Sequence, residues 1–254
     1  MSTEEPQIDF DFSLAGKVAV VTGAGSGLGD AITRAFAAKG ARVALLDIDE
    51  TAAAEVAADV DGRAFMCDVA DPDSVRAAVD AVVAEFGTID ILVNSAGIAR
   101  LAPAEELSFA DWTSTIDINL TGSFLVAQAV GRVMLEKGRG RILNIASQAG
   151  HVALDQHIAY TASKAAIYGL TKTLASEWGP AGITCNSLSP TVVLTPLGKE
   201  AWTGPHGDAH KAQIPAERFA YPDEIAAAAL YLVSDAAAMV NGADLRIDGG
   251  FTIR

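Results

Sequence analysis

Seven short apolar runs, separated by segments of helical period, dominate this chain of 254 residues. Nearly every residue in each run is apolar, which is typical of strands in a parallel sheet that helices cover on both faces. The predicted strands are Lys17–Thr22, Arg42–Asp47, Arg63–Cys67, Ile89–Val93, Arg141–Ala146, Ile183–Leu188 and Asp244–Asp248. The clearest predicted helix is Asp71–Phe86, with Asp71 as its N-cap and Gly87 after its end. We therefore predict an α/β fold, a single-domain, Rossmann-like, doubly wound seven-stranded parallel sheet with helices on both faces.

A glycine-rich turn joins the first strand to the first helix. It runs Thr22-Gly23-Ala24-Gly25-Ser26-Gly27-Leu28-Gly29. Glycines allow a sharp turn and a close approach to a pyrophosphate, and the helix N-terminus offers free N–H groups. A strand before and a helix after are the context that a dinucleotide site requires. The turn predicts a dinucleotide-binding catalytic domain over residues 15–254, preceded by an N-terminal extension of residues 1–14.

Asp47 ends the second predicted strand, about 20 residues beyond the glycines, where dinucleotide folds place a ribose-binding acid. A carboxylate there accepts hydrogen bonds from both adenosine ribose hydroxyls and repels a 2′-phosphate. Alternatively, Asp47 caps the next helix with Glu50 as its partner, a role that Asp49 could also fill. Neither Ser26 nor Ile48 supplies the positive charge that NADP favours, so we predict NAD as the cofactor.

Polar residues also follow the third, fourth and fifth strands, at the edge where ligands of open parallel sheets bind. Asp68-Val69 is expected near the adenine, and the turn Asn94-Ser95-Ala96-Gly97 behind the ribose. Ser147 follows the fifth strand, so it should lie near the same crevice.

Tyr160 and Lys164 are four residues apart on a predicted helix and therefore share one face. A free phenol has a pKa near 10, and a neighbouring ammonium lowers it toward the range of a useful base. A surface tyrosine beside a surface lysine would have the same spacing. Asn119 lies inside another predicted helix, where a residue of low helix propensity needs a reason.

Together these motifs resemble the short-chain dehydrogenase/reductase family, in order and spacing, from Leu14 to Gly250. The resemblance implies that Tyr160 is the general acid/base and that Ser147 hydrogen-bonds the reacting oxygen. It implies that Lys164 binds the nicotinamide ribose and lowers the Tyr160 pKa, and that Asn119 holds a water of the proton relay. The cofactor contacts expected in this way are Gly23, Ser26, Gly27, Leu28, Gly29, Asp47, Asp68, Val69, Asn94, Ala96, Gly97, Tyr160, Lys164, Pro190, Val193 and Thr195.

The substrate side resembles the L-xylulose reductase and polyol dehydrogenase branch of the family. The expected substrate contacts are Ser147, Gln148, His157, Tyr160 and Trp202. His157 could instead be a satisfied histidine at a helix start. The Gly- and Pro-rich stretch Thr195–Phe219 is predicted as an irregular loop that serves as a substrate lid. We predict NAD-linked interconversion of a small polyol, such as threitol or xylitol, and its ketose.

Other readings of the sequence remain open. The same scaffold could reduce a 3-oxoacyl thioester or a steroid ketone, although the polar lid disfavours both, or the chain could be a non-catalytic NAD-sensing protein. His206, Asp208 and His210 could be metal ligands, but no further ligand is obvious, so we predict no metal site.

The formal net charge of −14 argues against nucleic acid and anionic membranes as partners. No apolar run approaches the roughly 20 residues of a membrane span, and the acidic N-terminus lacks the order of a secretory signal. Cys67 and Cys185 are predicted to be buried free thiols, which favours the cytoplasm. The family resemblance implies a homotetramer in which Phe109–Glu136 and Ile158–Trp178 pack against symmetry mates.

Overall fold

The structure, a computed structural model, describes residues 8–253. Its strands are β1 (Val18–Thr22), β2 (Arg42–Asp47), β3 (Arg63–Met66), β4 (Ile91–Asn94), β5 (Gly140–Ile145), β6 (Ile183–Pro190) and β7 (Asp244–Ile247). They form one parallel sheet in the order β3-β2-β1-β4-β5-β6-β7, which confirms the predicted fold. The strand order reverses between β1 and β4, so the binding crevice lies at the carboxyl ends of those two strands.

Helices cover both faces of the sheet. They are α1 (Gly27–Ala38), α2 (Glu50–Asp59), α3 (Pro72–Phe86), α4 (Phe109–Ile116), α5 (Ser123–Lys137), α6 (Ile158–Trp178), α7 (Pro196–Ala201), α8 (Gly204–Lys211) and α9 (Pro222–Val233). One apolar core packs α1, α2 and α9 against one face, and a second packs α3, α5 and α6 against the other. Adjacent strand residues alternate between them, since Val21 belongs to the first core and Val20 to the second.

Helix α3 begins as predicted. The Asp71 side chain accepts a hydrogen bond from the Asp73 N–H (2.9 Å), Pro72 occupies the first turn, and Gly87 ends the helix in the left-handed region at φ 78°. Cys67 and Cys185 are both buried and free, as predicted.

The predicted helix Phe109–Glu136 contains an interruption. Residues Phe109–Ile116 form the regular helix α4, but residues Asp117–Gly122 form a π-helical segment between α4 and α5. By length and composition alone, the continuous helix Phe109–Lys137 could span a membrane. Val126, Val130 and Met134 are, however, fully buried in the core beside the sheet, so this helix packs in the core of the domain.

The lid is not irregular, which corrects the prediction for Thr195–Phe219. It contains α7 and α8. The Thr195 hydroxyl accepts a hydrogen bond from the Gly198 N–H (3.1 Å) and so caps α7. Pro196 and Pro205 lie in the first turns of the two helices, where the fixed φ of proline favours a helix start and no N–H is lost from the ladder.

The predicted extension, residues 1–14, is only partly covered, since residues 1–7 lie outside the described residues. Leu14 is fully buried, and its N–H donates to the Lys39 carbonyl (2.8 Å). The Phe12 ring packs edge-on against Tyr231, with ring centroids 5.8 Å apart. Phe12 and Leu14 therefore pack against the domain.

Candidate active site

The glycine-rich turn has the shape of a phosphate-binding cradle. Gly23 and Gly27 adopt left-handed φ values of 64° and 59°. A Cβ on Gly23 would lie 2.9 Å from the Ala96 Cα, and one on Gly29 would overlap the Gly23 carbonyl oxygen. The Ser26 side chain makes no capping hydrogen bond to α1, so the N–H groups of the first turn are available to an anion.

Asp47 is held beside this turn and does not cap a helix. Its Oδ2 accepts a hydrogen bond from the Gly25 N–H (2.8 Å), and its Oδ1 accepts one from the Asp49 N–H (3.0 Å). The cap of α2 is Asp49, whose side chain accepts from the Ala52 N–H (3.1 Å). The structure thus decides between the two roles that the sequence left open, and it leaves the Asp47 carboxylate at the edge of the crevice.

The ends of β3 and β4 border the same crevice. The Asp68 Oδ1 accepts from the Ala70 N–H (2.9 Å), and Val69 packs so tightly on the π-helical segment that a Cβ on Gly122 would lie 2.8 Å from its Cγ2. At the end of β4, the Ala96 N–H donates to the Thr22 hydroxyl (3.1 Å), which joins this turn to the glycine-rich turn.

Asn94 faces inward. Its Nδ2 donates to the Asn144 Oδ1 (2.9 Å) and to the Ser123 carbonyl (3.2 Å), and its side chain is 3% exposed. The Asn94 side chain therefore fixes the end of β4. Contacts of this turn with a cofactor would come from the Asn94 main chain, Ala96 and Gly97.

The turn after β6 closes over the start of α1. Pro190 ends β6, and Leu194 pairs with Ala220 through a hydrogen bond from its N–H (2.9 Å). Val193 is buried next to this pair. A Cβ on Gly27 would lie 3.7 Å from the Thr195 Cγ2, so the predicted nicotinamide turn and the phosphate cradle lie opposite each other.

Tyr160, Ser147 and Lys164 come together at the carboxyl end of β5. The Ser147 side chain lies close enough to the Tyr160 hydroxyl to lower the pKa of Tyr160 by hydrogen bonding. The Lys164 ammonium lies 5.6 Å from the Tyr160 ring centroid, and its Nζ donates to the Ile145 carbonyl (2.7 Å). The predicted reacting groups therefore form one cluster.

The protein groups by themselves do not lower the Tyr160 pKa, although the sequence predicted that Lys164 would do so. Burial raises the Tyr160 pKa, and the hydrogen bond from Ser147 opposes that rise only in part. Burial also lowers the pKa of Lys164 to about 8. The phenol is therefore neutral at neutral pH, because the same apolar surroundings disfavour the charged form of both groups.

Asn119 lies in the π-helical segment and is fully buried. Its Oδ1 accepts from the Ile98 N–H (2.8 Å), and its Nδ2 donates to the Ile98 carbonyl (2.9 Å) and to the Ser163 hydroxyl (3.1 Å). The side chain thus links the strand β4 exit to helix α6, one residue before Lys164. A role in holding a relay water stays a prediction.

Gln148, the residue after Ser147, meets the predicted lid segment through His210. Gln148 is 2% exposed, its Nε2 lies 3.4 Å from the His210 Nε2, and its Oε1 is buried without a hydrogen-bond partner. The Trp202 ring stacks on His206, with centroids 4.9 Å apart, and packs at a tilt of 43° against His210, with centroids 4.7 Å apart. His157 is bonded to the Asp155 carbonyl through Nδ1 (2.6 Å), and its ring stands edge-on to Tyr160 at 6.1 Å.

His210 and Phe251 lie at this meeting point, and the sequence did not predict either as a substrate contact. Their rings are 4.8 Å apart, which brings the C-terminal turn against α8. The i, i+4 spacing of His206 and His210 was the available sequence signal, since it places both on one face of a helix. The surrounding glycines and prolines instead indicated a loop, whereas the structure has helix α8 there. Within residues 8–253, no group of three or more His, Cys, Asp or Glu side chains is arranged to hold a metal ion.

Comparisons with known proteins agree with this geometry. A family model described as enoyl-(acyl carrier protein) reductase matches residues 23–252. D-threitol dehydrogenase of Mycolicibacterium smegmatis is 63% identical, over 99% of this chain and 98% of that protein. The chain is a short-chain dehydrogenase/reductase. NAD-dependent glycerol dehydrogenase of Listeria innocua is 50% identical, over 97% of this chain and 98% of its own. The gluconate 5-dehydrogenase of Burkholderia cenocepacia, solved with NADP and tartrate, superposes with a TM-score of 0.92 at 38% identity, covering 96% and 98% of the two chains.

Membership in this family makes the protein an oxidoreductase that acts on CH–OH groups with a nicotinamide dinucleotide. The residues present fit such a cofactor, since the glycine cradle, the Asp47 carboxylate and the turn Pro190–Thr195 line one continuous crevice edge. The predicted resemblance to the polyol dehydrogenase branch is also confirmed by these relatives.

The buried Lys164 leads to a prediction about stability. Its pKa falls from 10.5 to about 8 on folding. Between about pH 8 and pH 10.5 the unfolded chain therefore binds more protons than the folded protein. The free energy of unfolding should therefore gain up to about 3 kcal/mol from this group as pH rises from about 8 to about 10.5, with no contribution to the slope below pH 8. Lys164→Met should lack this gain.

Chemical denaturation of both proteins between about pH 7 and pH 10 measures the difference. Burial raises the pKa of Cys67 to about 11 and of Cys185 to about 12, which lowers stability at high pH, but both thiols are present in both proteins and cancel. Lys172→Met on the exposed side of the same helix is the matched control. Parallel pH curves for the wild type and Lys164→Met would contradict a buried, titrating Lys164.

Proposed function

We propose that this protein oxidises a secondary alcohol of a small polyol to the corresponding ketose with NAD⁺, and reduces the ketose in the reverse direction. The observation that carries the proposal is a pair of buried polar side chains at the turn that carries Ser147: Gln148 directly follows Ser147, and its Nε2 lies 3.4 Å from the His210 Nε2. A polyol carries hydroxyls on the carbons next to the reacting one, and such groups require buried polar partners. The names of the threitol and glycerol dehydrogenase relatives support the same substrate class.

The proposed reaction uses three side chains at one oxygen. Ser147 hydrogen-bonds the substrate hydroxyl, and Tyr160, as the phenolate, takes the proton from it while the carbinol carbon loses a hydride. Bound NAD⁺ supplies the hydride acceptor. The Lys164 ammonium would bind the nicotinamide ribose, and the positive charge of the oxidised nicotinamide would favour the phenolate over the neutral phenol that burial alone maintains. In ketose reduction Tyr160 returns the proton to the carbonyl oxygen.

The preference for NAD rests on Asp47. Its carboxylate is fixed beside the cradle by the Gly25 N–H, where it would accept from ribose hydroxyls and repel a 2′-phosphate. No basic side chain takes its place in the turn, which contains Ser26, or directly after β2, where Ile48 is 69% exposed.

We also propose that the protein forms a homotetramer in the cytoplasm. Helices α5 and α6 would pack against symmetry mates, and they carry exposed apolar side chains that such packing would cover, among them Phe124, Leu135 and Ile158. The molecular mass in solution, measured by light scattering, tests the assembly. The acidic chain and its reduced cysteines agree with a cytoplasmic protein that binds neither nucleic acid nor membrane.

A substrate panel tests the reaction. The purified protein is expected to reduce NAD⁺ with at least one of D-threitol, xylitol and glycerol, followed by NADH absorbance. The family model's description, enoyl-(acyl carrier protein) reductase, favours a second candidate, an acyl thioester substrate, so an enoyl thioester and a 3-oxoacyl thioester, each with NADH, belong in the panel. Turnover of either thioester without turnover of any polyol would overturn the proposal.

Gln148→Met then tests the substrate wall. The change keeps the side-chain length but leaves a polyol hydroxyl without its partner, so kcat/KM for the polyol should fall by about tenfold. Gln213→Met, on the exposed surface after α8, is the matched control and should leave kcat/KM unchanged. An unchanged kcat/KM in Gln148→Met would remove Gln148 from the substrate site.

A further inference from the structure

The main-chain carbonyl of Ser147 is held from behind. It accepts a hydrogen bond from the Tyr168 hydroxyl (2.8 Å) and another from the Gly150 N–H (2.9 Å). The Ser147 Oγ accepts from the Ala149 N–H (3.1 Å) within the same short turn. Since side chain and carbonyl belong to one rigid turn, the Tyr168 bond also sets where the Ser147 hydroxyl points.

Tyr168 is the inner end of a hydrogen-bond chain that crosses two strands. Its hydroxyl lies 3.1 Å from the Ser189 Oγ, which donates to the Asp244 Oδ1 (2.7 Å). Ser187 donates to the same oxygen (2.6 Å), and the His151 Nε2 lies 2.7 Å from the Asp244 Oδ2. The chain thus joins α6, β6 and β7 to the turn that carries Ser147.

Packing fixes the Tyr168 ring in this position. The His151 ring stacks on it at 4.5 Å with an interplanar angle of 29°. Gly150 is required for the close approach, because a Cβ at that position would lie 2.7 Å from the Tyr168 hydroxyl oxygen. Burial also raises the pKa of Tyr168 to about 12, so its hydroxyl remains protonated at neutral pH.

Proton counting gives the direction of the bonds. Tyr168 and Ser189 contribute two hydroxyl protons to three oxygen–oxygen contacts. Ser189 donates its proton to the Asp244 Oδ1, and the Ser147 carbonyl, at 2.8 Å, is nearer to the Tyr168 oxygen than Ser189 is, at 3.1 Å. The longest contact is therefore the one without a proton, and the Tyr168 proton goes to Ser147.

We propose that Tyr168 is a positioning residue for the reaction, which holds the Ser147 hydroxyl in line with the Tyr160 hydroxyl through its bond to the Ser147 carbonyl. The inference rests on the proposed roles of Ser147 and Tyr160. It adds a residue outside the reacting cluster, whose hydroxyl bonds the Ser147 carbonyl and lies beside Ser189.

Tyr168→Phe tests the proposal, with any substrate that the wild type turns over. The kcat is expected to fall by about tenfold, because small displacements of a reacting group are costly, while the Kd of NADH stays unchanged. In the oxidation direction the midpoint of the acid limb of the kcat/KM–pH profile should move upward, because the interaction with Ser147 is the protein contact that lowers the Tyr160 pKa. A role limited to stability would lower Tm without moving this midpoint.

Two further variants sharpen the result. Tyr231→Phe makes the same chemical change on α9, where the ring packs on Phe12, and should leave kcat and the profile unchanged. Ser189→Ala removes the competing oxygen but leaves the Tyr168–Ser147 bond, so it should retain most of kcat. A Tyr168→Phe enzyme with the kcat and pH midpoint of the wild type would overturn the inference, as would a loss in Ser189→Ala equal to that in Tyr168→Phe. A wild type inactive toward every polyol would instead count against the proposed function.

Discussion

Replacing Tyr160 with phenylalanine is expected to reduce turnover by about three to four orders of magnitude while NADH binding is retained. The phenol is the group that exchanges a proton with the substrate oxygen in the proposed reaction, and general acid–base catalysis contributes up to about 10⁴-fold. Phenylalanine fills the same volume, so the buried site should keep its shape. Steady-state kinetics with the best substrate of the panel and fluorescence titration with NADH measure the two quantities separately.

The matched control for this change is Tyr221→Phe. Tyr221 is 55% exposed and precedes α9, with Arg218 over its ring. Its replacement should alter neither turnover nor NADH binding. A non-catalytic NAD-sensing protein would show no turnover before or after the Tyr160 change. Retention of more than about a tenth of wild-type kcat in Tyr160→Phe would exclude Tyr160 as the general acid/base.

Replacing Asp47 with asparagine is expected to lower the preference for NAD⁺ over NADP⁺ in kcat/KM by about 100-fold. Hydrogen bonds to a charged acceptor are about twice as strong as neutral ones, so weaker ribose bonds should cost NAD⁺ about tenfold. Loss of the negative charge also removes the repulsion of a 2′-phosphate, which should improve NADP⁺ by a similar factor. The ratio of kcat/KM for the two cofactors, at one fixed polyol concentration, is the measurement.

Asp49→Asn provides a control two residues away. It removes the same charge, and asparagine caps a helix as well as aspartate does, so α2 should be unaffected. The cofactor ratio should then stay at its wild-type value. Equal ratios in Asp47→Asn and the wild type, or a wild type that uses NADP⁺ as well as NAD⁺, would refute the role assigned to Asp47.

The lid shows where local sequence signals mislead. Proline and glycine favour turns when they occur together, but a proline in the first turn starts a helix, and Pro196 and Pro205 both do so. The capping bond of Thr195 could be anticipated from its position before Pro196. The packing of Trp202 against His206 and His210 could not, because it depends on how α7 and α8 pack together.

Asn119 shows the opposite case, in which the sequence indicated a feature without its geometry. A poor helix former inside a long helix suggested a special site. The structure adds that the helix widens into a π-helical segment there and that the amide bonds both main-chain groups of Ile98. π-Helical segments of this kind are frequent at functional sites.

The sequence by itself determined the fold, the glycine cradle, the acid at the end of β2 and the one-face pairing of Tyr160 with Lys164. Each of these depends on a period, a spacing or a strand end, and such signals act over a few residues along the chain. Tertiary structure alone decided that Asp49 rather than Asp47 caps α2, that Gln148 meets His210, and that Tyr168 supports Ser147. It also decided that burial raises the Tyr160 pKa. These outcomes depend on side-chain direction and on the exclusion of water by residues distant in sequence, which no local pattern encodes.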